Sequence, residues 1–322
     1  MTVAIVNPAT GKLLEREGDW LVDEDGARFP VVNDVPRICE LENYAGSFGT
    51  QWNIFRETQL DRPGVEEGPT ERRFFAETAW NPAELAGLDV LEVGSGAGRF
   101  SQVVLSRTKA NLYSVDYSTA VEANLVNNSD IAPGRFHLFQ ASIYDMPFPD
   151  GSFDKVFCLG VLQHTPDFER AVQSLVKKAK PGGEIVVDFY CIRGIWTKFS
   201  AKYLLRPFTR RMRQERLLGI IKGNIGWLIR AHNGLARLKL GALTRFLPIV
   251  DLRTFPKGLG AEQLREWAVL DTFDVYSPEY DNPQRISAVA KMFSRAGAKV
   301  AFAGTVETGY GPAAVVRANR VS

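Results

Sequence analysis

The 322-residue sequence predicts an α/β fold, a mostly parallel sheet with helices on both faces and an antiparallel pair at one edge. Three observations carry this. The apolar run Val90-Leu91-Glu92-Val93 leads into Gly94-Ser95-Gly96-Ala97-Gly98, with a glycine at every second position, and then into an apolar-periodic segment. That order reads as a buried strand, a tight turn and a helix start. Strand-like and helix-like stretches then alternate as far as Phe189. Two late runs, Lys299–Ala303 and Ala313–Arg317, flank turns at Gly309 and Gly311 and suit an edge pair.

Taken in order, residues 1–42 form a small β-rich segment. Asp25-Gly26 turns between Trp20-Leu21-Val22 and Arg28-Phe29-Pro30-Val31-Val32, and Asn33-Asp34 with Pro36 mark its exit. Phe48, Trp52 and Phe55 follow at helical spacing. Gly46 and Gly49 beside them suit a segment folded over a ligand. Pro63-Gly64 through Gly68-Pro69 is a loop, after which Thr70 caps a helix reaching Thr78. The core begins with strand Val90–Val93 and a helix over Gly98–Arg107. Strand Asn111–Val115 ends in Asp116, and Ser118 caps the next helix, through Asn127. Phe136–Phe139 and Lys155–Leu159 are the third and fourth strands, and a helix runs from Asp167 to Lys178. Pro181-Gly182-Gly183 turns into the fifth strand, Glu184–Phe189. Ligands of such sheets bind at the carboxyl ends of the strands, near the switch point. The glycine turn, Asp116, the Ser142 loop and the Leu159–His164 loop therefore gather around one crevice.

Residues 191–258 break the alternation. Cations run from Arg193 to Lys257, the only acids are Glu215 and Asp251, and apolar residues such as Trp196, Phe199, Leu204 and Trp227 are interleaved. The stretch reads as an inserted group of basic helices: a lid over an acceptor, or a surface resting on anionic lipid. In residues 259–322 a helix over Ala261–Asp271 points Trp267 inward, Asp271–Pro278 is a loop, and Asn282-Pro283 opens a helix through Ala296. The division is thus 1–42, 43–190, 191–258 and 259–322.

Composition narrows the class. Hydrophobic content of 45% and charged content of 24% are those of a globular protein able to bury a core without staples. Cys39, Cys158 and Cys191 are widely spaced, so no disulfide framework or zinc site is expected and the setting is reducing. No apolar run reaches about 18 residues, and the first residues lack a basic, then apolar, leader. A cytoplasmic protein is expected, with contact at the inner membrane surface through residues 191–258 as a further expectation.

The glycine turn is GxGxG, with Arg99 where a dinucleotide fingerprint would place its third glycine, and no GK[ST] follows. A pyrophosphate is therefore disfavoured, and a compact nucleoside-type ligand remains. Asp116, at the end of the second strand, can accept from both ribose hydroxyls.

These residues now carry a resemblance. Val90–Phe100, Ser114-Val115-Asp116, Met146-Pro147-Phe148-Pro149-Asp150-Gly151-Ser152-Phe153-Asp154, Val161-Leu162-Gln163-His164 and Lys180-Pro181-Gly182-Gly183 follow one another at ordinary spacing. Together, over roughly residues 85–190, they resemble class I S-adenosylmethionine-dependent methyltransferases. The resemblance implies a Rossmann-like seven-stranded sheet and S-adenosylmethionine as cofactor. It places Glu92, Gly94, Gly96 and Gly98 at the methionine part, Asp116 at the ribose and Tyr117 at the adenine, with Ser95 and Leu159 as further cofactor-binding residues. In many relatives an aspartate before the LPF-type segment bonds the adenine amine; here Ser142 stands there, next to Ile143. The phrase Phe29–Pro36 is similar to the close of a zinc-ribbon-like domain, degenerate here because the metal-binding cysteines are missing, so no metal is expected. Phe48–Trp52 is similar to segments of bacterial methyltransferases of surface-glycan or secondary-metabolite biosynthesis.

Methyl transfer needs an in-line nucleophile and a dry site. For a hydroxyl or protonated amine a general base helps, and His164, after the fourth strand, is the candidate. It could equally order the loop before Thr165-Pro166. Trp52, Tyr190, His232 and Tyr276 are acceptor-pocket candidates, with Asp271 and Asp274 beside them. The expected activity is transfer to an O or N of a small-molecule, glycan or lipid-linked acceptor. Two alternatives stand beside it. One is an RNA methyltransferase, suggested by the basic insertion but lacking an Asn/Asp-Pro-Pro-Tyr motif and any RNA module, so nucleic acid is disfavoured as a partner. The other is a non-catalytic protein that binds S-adenosylmethionine or a membrane surface. Oligomeric state is not legible.

Overall fold

The computed structural model describes residues 3–40, 43–61, 68–192, 194, 199–309 and 311–321. In the first part of the chain the elements are β1 (Glu15–Glu17), β2 (Trp20–Val22), β3 (Arg28–Val32), β4 (Val35–Ile38), α1 (Gly46–Ile54) and α2 (Pro69–Thr78). The alternating core follows: β5 (Asp89–Val93), α3 (Arg99–Arg107), β6 (Asn111–Asp116), α4 (Val121–Asn128), β7 (Phe136–Ala141), β8 (Phe153–Cys158), α5 (Phe168–Lys178) and β9 (Ala179–Phe189). The rest comprises α6 (Ala201–Thr209), α7 (Gln214–Arg237), α8 (Ala261–Tyr276), α9 (Ile286–Arg295), β10 (Ala298–Glu307) and β11 (Pro312–Arg320).

The strands form one sheet in the order β1-β2-β3-β4-β7-β6-β5-β8-β9-β11-β10. The seven expected strands are its contiguous run from β7 to β10. Strands β5 to β9 run parallel, and β11 lies antiparallel to both β9 and β10. The sheet nevertheless has eleven strands among the described residues, not seven. The sequence marks Asn33-Asp34 and Pro36 as the exit from the N-terminal hairpin. Instead Val35-Pro36-Arg37-Ile38 is a strand that pairs parallel with β7, Arg37 opposite Gln140. Val35 and Ile38 are buried there, and the Arg37 guanidinium donates to Gln140 Oε1 and Glu122 Oε1. The N-terminal meander thus covers an edge of β7 that would otherwise be open.

Packing divides into layers. One face of the sheet packs on α5 and α9 around Leu91, Val156, Leu175 and Phe293, the other on α2 and α3 around Phe74, Phe100, Val104 and Phe157. A third cluster joins α7 to α8 through Leu217, Ile221, Ile225, Trp267 and Phe273.

Several local expectations change. Thr70 is inside α2 rather than its cap. Asp61 caps instead, its carboxylate accepting from Thr70 N at 3.0 Å and Glu71 N at 2.7 Å. Pro181 and its glycines lie within β9, at a register shift against β8, and not before it. The stretch Asp271–Tyr276, expected as a loop, continues α8. Buried Trp267, Leu270, Phe273 and Tyr276 recur every third residue, and the helix stops just before Pro278. The loop at Pro63-Gly64, and Arg193, Trp196 and Lys198 of the insertion, lie outside the described residues. No helix among the described residues is long and apolar enough to cross a membrane.

Candidate active site

A cavity of about 360 Å³ opens at the carboxyl ends of β5, β6 and β8. Its floor is the turn after β5. Gly94, Gly96 and Gly98 have φ of +79°, +54° and +83°, a conformation that disfavours a side chain. At Gly96 the space is also tight: a Cβ would lie 3.1 Å from Trp52 Nε1 of α1. Helix α1 thus lies over the turn and roofs the cavity with Trp52 and Phe48.

One half of the cavity gathers most of the residues expected around the cofactor. Gly94, Ser95, Gly96, Asp116, Tyr117, Ile143 and Leu159 all line it. Asp116 Oδ2 accepts from Gly96 N at 2.8 Å, and Oδ1 from Ser118 N at 2.8 Å and Ser118 Oγ at 2.6 Å. Burial raises the Asp116 pKa above its ordinary value, while these donors oppose the rise. Ser95 Oγ is buried and has no hydrogen-bond partner among the described residues. A bare hydroxyl beside a carboxylate and a glycine floor fits a polar, ribose-bearing ligand, with Ile143 and Leu159 as apolar walls.

The other half is built by α1, β9 and α8. His164 lies in a 3-10 turn after β8. Its ring packs on Phe48 and Tyr190, with centroids 5.1 and 5.5 Å apart. Nδ1 lies 3.1 Å from the Tyr280 carbonyl oxygen, an acceptor only, so Nδ1 carries the proton and donates. Nε2 is buried with no partner among the described residues. Burial, the largest influence, lowers the His164 pKa, and Asp274 partly opposes it. The Tyr190 hydroxyl donates to Asp274 Oδ2 at 3.2 Å, and burial raises its pKa well above the ordinary value. Gln51 Nε2 donates to Asp274 Oδ1 at 3.3 Å, and Gln59 Nε2 to Asp271 Oδ1 at 3.0 Å. Burial pushes the Asp271 carboxyl up to about 7, with Asp274 adding to the rise. Arg73, which pairs with Glu77 and Asp188, and Arg99 complete this wall.

Five expected site residues are not in the lining. Glu92 is one layer below, where Ser101 Oγ and Ser114 Oγ donate to its Oε2 at 2.5 and 2.6 Å, and desolvation raises it to about 7. It braces the floor from beneath. Gly98 opens α3, packed against Asn124 and Asn128. The Ser142 hydroxyl accepts from Tyr144 N, and its neighbour Ile143 lines the cavity instead. His232 is buried on α7, with Nε2 3.2 Å from Asp251 Oδ1. Tyr276 is buried in the α7–α8 cluster. His232 was expected there from the basic insertion and Tyr276 from the stretch after Asp271, but the insertion reaches the cavity through Val250, Thr254 and Phe255, and the stretch after Asp271 through Asp274 and Val275. Tyr44, Gln51, Gln59 and Arg73 had drawn no functional reading. Only the aromatic and glycine-rich character of residues 44–52 signalled a roof.

Residues 91–187 match a family model described as a methyltransferase domain. The chloroplastic tocopherol O-methyltransferase of Arabidopsis thaliana is 35% identical over 109 residues, 33% of this chain and 31% of that protein. The tRNA U34 carboxymethyltransferase of Nautilia profundicola is 31% identical over 185 residues, 56% of this chain and 53% of that protein. A solved structure of magnesium protoporphyrin IX methyltransferase from Synechocystis PCC 6803 with bound SAH matches with TM-score 0.47 and 17% identity, covering 86% of this chain and 96% of that one. This chain spans about a third to a half of the length of the two curated relatives. Residues 91–187 are a methyltransferase domain of the S-adenosylmethionine-dependent kind.

Proposed function

We propose that the whole chain is an enzyme that transfers a methyl group from S-adenosylmethionine to an oxygen or nitrogen of a small-molecule, glycan or lipid-linked acceptor. One observation carries the acceptor chemistry: the unpartnered Nε2 of His164 in the cavity wall shared with the glycine turn and Asp116. The cofactor, when bound, supplies a methyl group already activated on a sulfonium. Asp116 would accept from the ribose hydroxyls, Ser95 and the backbone of the glycine turn would hold the polar end, and Tyr117, Ile143 and Leu159 would enclose the base. His164 Nε2 takes the proton from the acceptor as it attacks, and the Tyr280 carbonyl holds the ring in the competent tautomer. Phe48 and Trp52 exclude water from above. Tyr190, Asp274 and Gln51 orient the acceptor.

A second reading takes RNA as acceptor, favoured by the similarity to a protein named a tRNA carboxymethyltransferase. One experiment separates the two. Methyl-labelled S-adenosylmethionine is incubated with the protein and with polar, lipid and RNA fractions of a cell extract. Label in the polar or lipid fraction, lost in His164→Ala while S-adenosylhomocysteine still binds, is the expected result. Label confined to RNA would replace this reading with the second. The zinc-ribbon-like likeness of residues 1–42 has no part in the reaction proposed. Contact with a membrane surface through residues 191–258 is also proposed, on exposed Phe199, Leu204, Phe208 and Phe246 among the cations.

A further inference from the structure

A second cavity, of about 410 Å³, lies beside the first and shares Tyr44 with it. Three elements distant in sequence wall it: the start of α1 at Gly46 and Ser47, the end of α6 at Arg210 with the adjoining Arg211, and the end of α8 at Ser277. Ser47 is 5% exposed and Ser277 8%, yet the Oγ of each has no hydrogen-bond partner among the described residues. Burying a hydroxyl without a partner is unfavourable, so two of them in one cavity mark a place where a ligand completes the bonding. Ala45 gives α1 no side-chain cap, and its N-terminal end shares the cavity with the C-terminal ends of α6 and α8, so the positive charge at this place comes from the two arginines and not from helix dipoles. Glu279 also lines the cavity, which leaves two cations against one acid.

We propose that this cavity binds a phosphate group of a phosphomonoester or phosphodiester. The hydroxyls of Ser47 and Ser277 donate to its oxygens, and the guanidiniums of Arg210 and Arg211 neutralise it. Donors that converge from three elements suit a tetrahedral oxyanion, whereas a carboxylate offers two oxygens in one plane. The phosphate belongs either to a soluble ester or to a lipid headgroup. The second source has a seat within two turns of Arg210, where Leu204, Leu205 and Phe208 are 58%, 39% and 69% exposed on α6.

The site does not depend on the methyltransferase reading, and the test keeps the two apart. Inorganic phosphate and glycerol 3-phosphate are titrated calorimetrically at low salt into the full chain, into the pair Ser47→Ala with Ser277→Ala, and into the exposed pair Arg210→Gln with Arg211→Gln. S-adenosylhomocysteine is titrated into each alongside. Saturable phosphate binding is expected, weakened about tenfold or more by either pair, with S-adenosylhomocysteine binding unchanged. Cosedimentation with phosphatidylcholine vesicles only when they carry phosphatidic acid, and its loss in Phe208→Ser, assigns the phosphate to a lipid. Binding of the soluble ester without cosedimentation assigns it to a soluble ligand. No saturable phosphate binding by the full chain, or binding undiminished in both pairs, overturns the proposal. Failure of S-adenosylhomocysteine to bind while phosphate still does would count against the methyltransferase reading alone.

Discussion

At the scale of single residues, the site contains two titratable groups that burial moves in opposite senses. His164 is driven below its usual pKa, so its neutral form fills the neutral pH range. Nitrogen-15 NMR of the ring should show the Nδ1–H tautomer with a midpoint below 6.5; a midpoint above 6.5, or Nε2 protonated in the neutral form, would remove it as a base. Asp271 moves the other way, from 3.8 to about 7. The folded chain holds that proton longer than the unfolded one. The associated stability is complete below pH 3.8 and is lost as pH rises through about 7. Asp271→Asn keeps an acceptor for Gln59 and removes the ionisation. It should match the parent near pH 4 and exceed it at pH 8 by about 2–4 kcal/mol, read from urea unfolding at the two pH values. A gap that does not widen with pH would mean that the carboxyl is ionised in the folded state.

At the scale of elements, α1 is the part that turns a strand-end crevice into an enclosed cavity. It sits close to the loop before α4 because residue 49 is glycine: a Cβ there would lie 2.3 Å from Thr119 Oγ1 and 3.1 Å from Thr119 N. Gly49→Ala forces the Thr119 side chain to turn away or α1 to move outward. We expect a loss of about 1–3 kcal/mol in stability and weaker S-adenosylhomocysteine binding, measured together by thermal unfolding with and without the ligand. Unchanged stability together with unchanged binding would show that the close approach at Gly49 does not set the position of α1. The elements differ in how readable they were. The strands β5 to β9 were legible because both faces are covered, which leaves continuous apolar runs bounded by glycine and aspartate. The positions of the glycine turn and of Asp116 were legible for the same reason, since each ends such a run, whereas His164 comes six residues after β8, in a 3-10 turn. Helix α8 was misread at its end because Asp271-Thr272 and Asp274 look like turn residues. Their partners, Gln59 and Gln51, are far away in sequence and become visible only in the fold. The same distance hid the displacement of His232 and Tyr276 and the convergence of Ser47 with Ser277.

At the scale of the whole molecule, the N-terminal segment is part of the sheet and not an appendage. Leu14, Leu21, Val31 and Ile38 belong to the same buried cluster as Leu91 and Val156 of the central strands. Val3 N donates to the Tyr113 hydroxyl at 3.0 Å, and Arg37, buried at the β4–β7 junction, ties β4 to both β7 and α4. Removing residues 1–38 would leave β7 as a bare parallel edge beside exposed Phe139 and Ala141. The burial of four aliphatic side chains at about 1.5–3 kcal/mol each would go with it, before the lost ladder bonds are considered. A chain truncated in this way should therefore unfold at a clearly lower denaturant concentration and associate through its open edge, visible as earlier elution in size-exclusion chromatography. Because Asp116 ends β6, next to β7, the damage should reach the cofactor side as weaker S-adenosylhomocysteine binding. A truncated chain that stays monomeric with unchanged unfolding would show that β4 adds nothing to the sheet. Substituting Arg37→Ala alone gives the graded version of the same test: the buried carboxamide of Gln140 loses a donor while the strand remains. The expected cost is about 1–3 kcal/mol, smaller than that of the deletion and without the association.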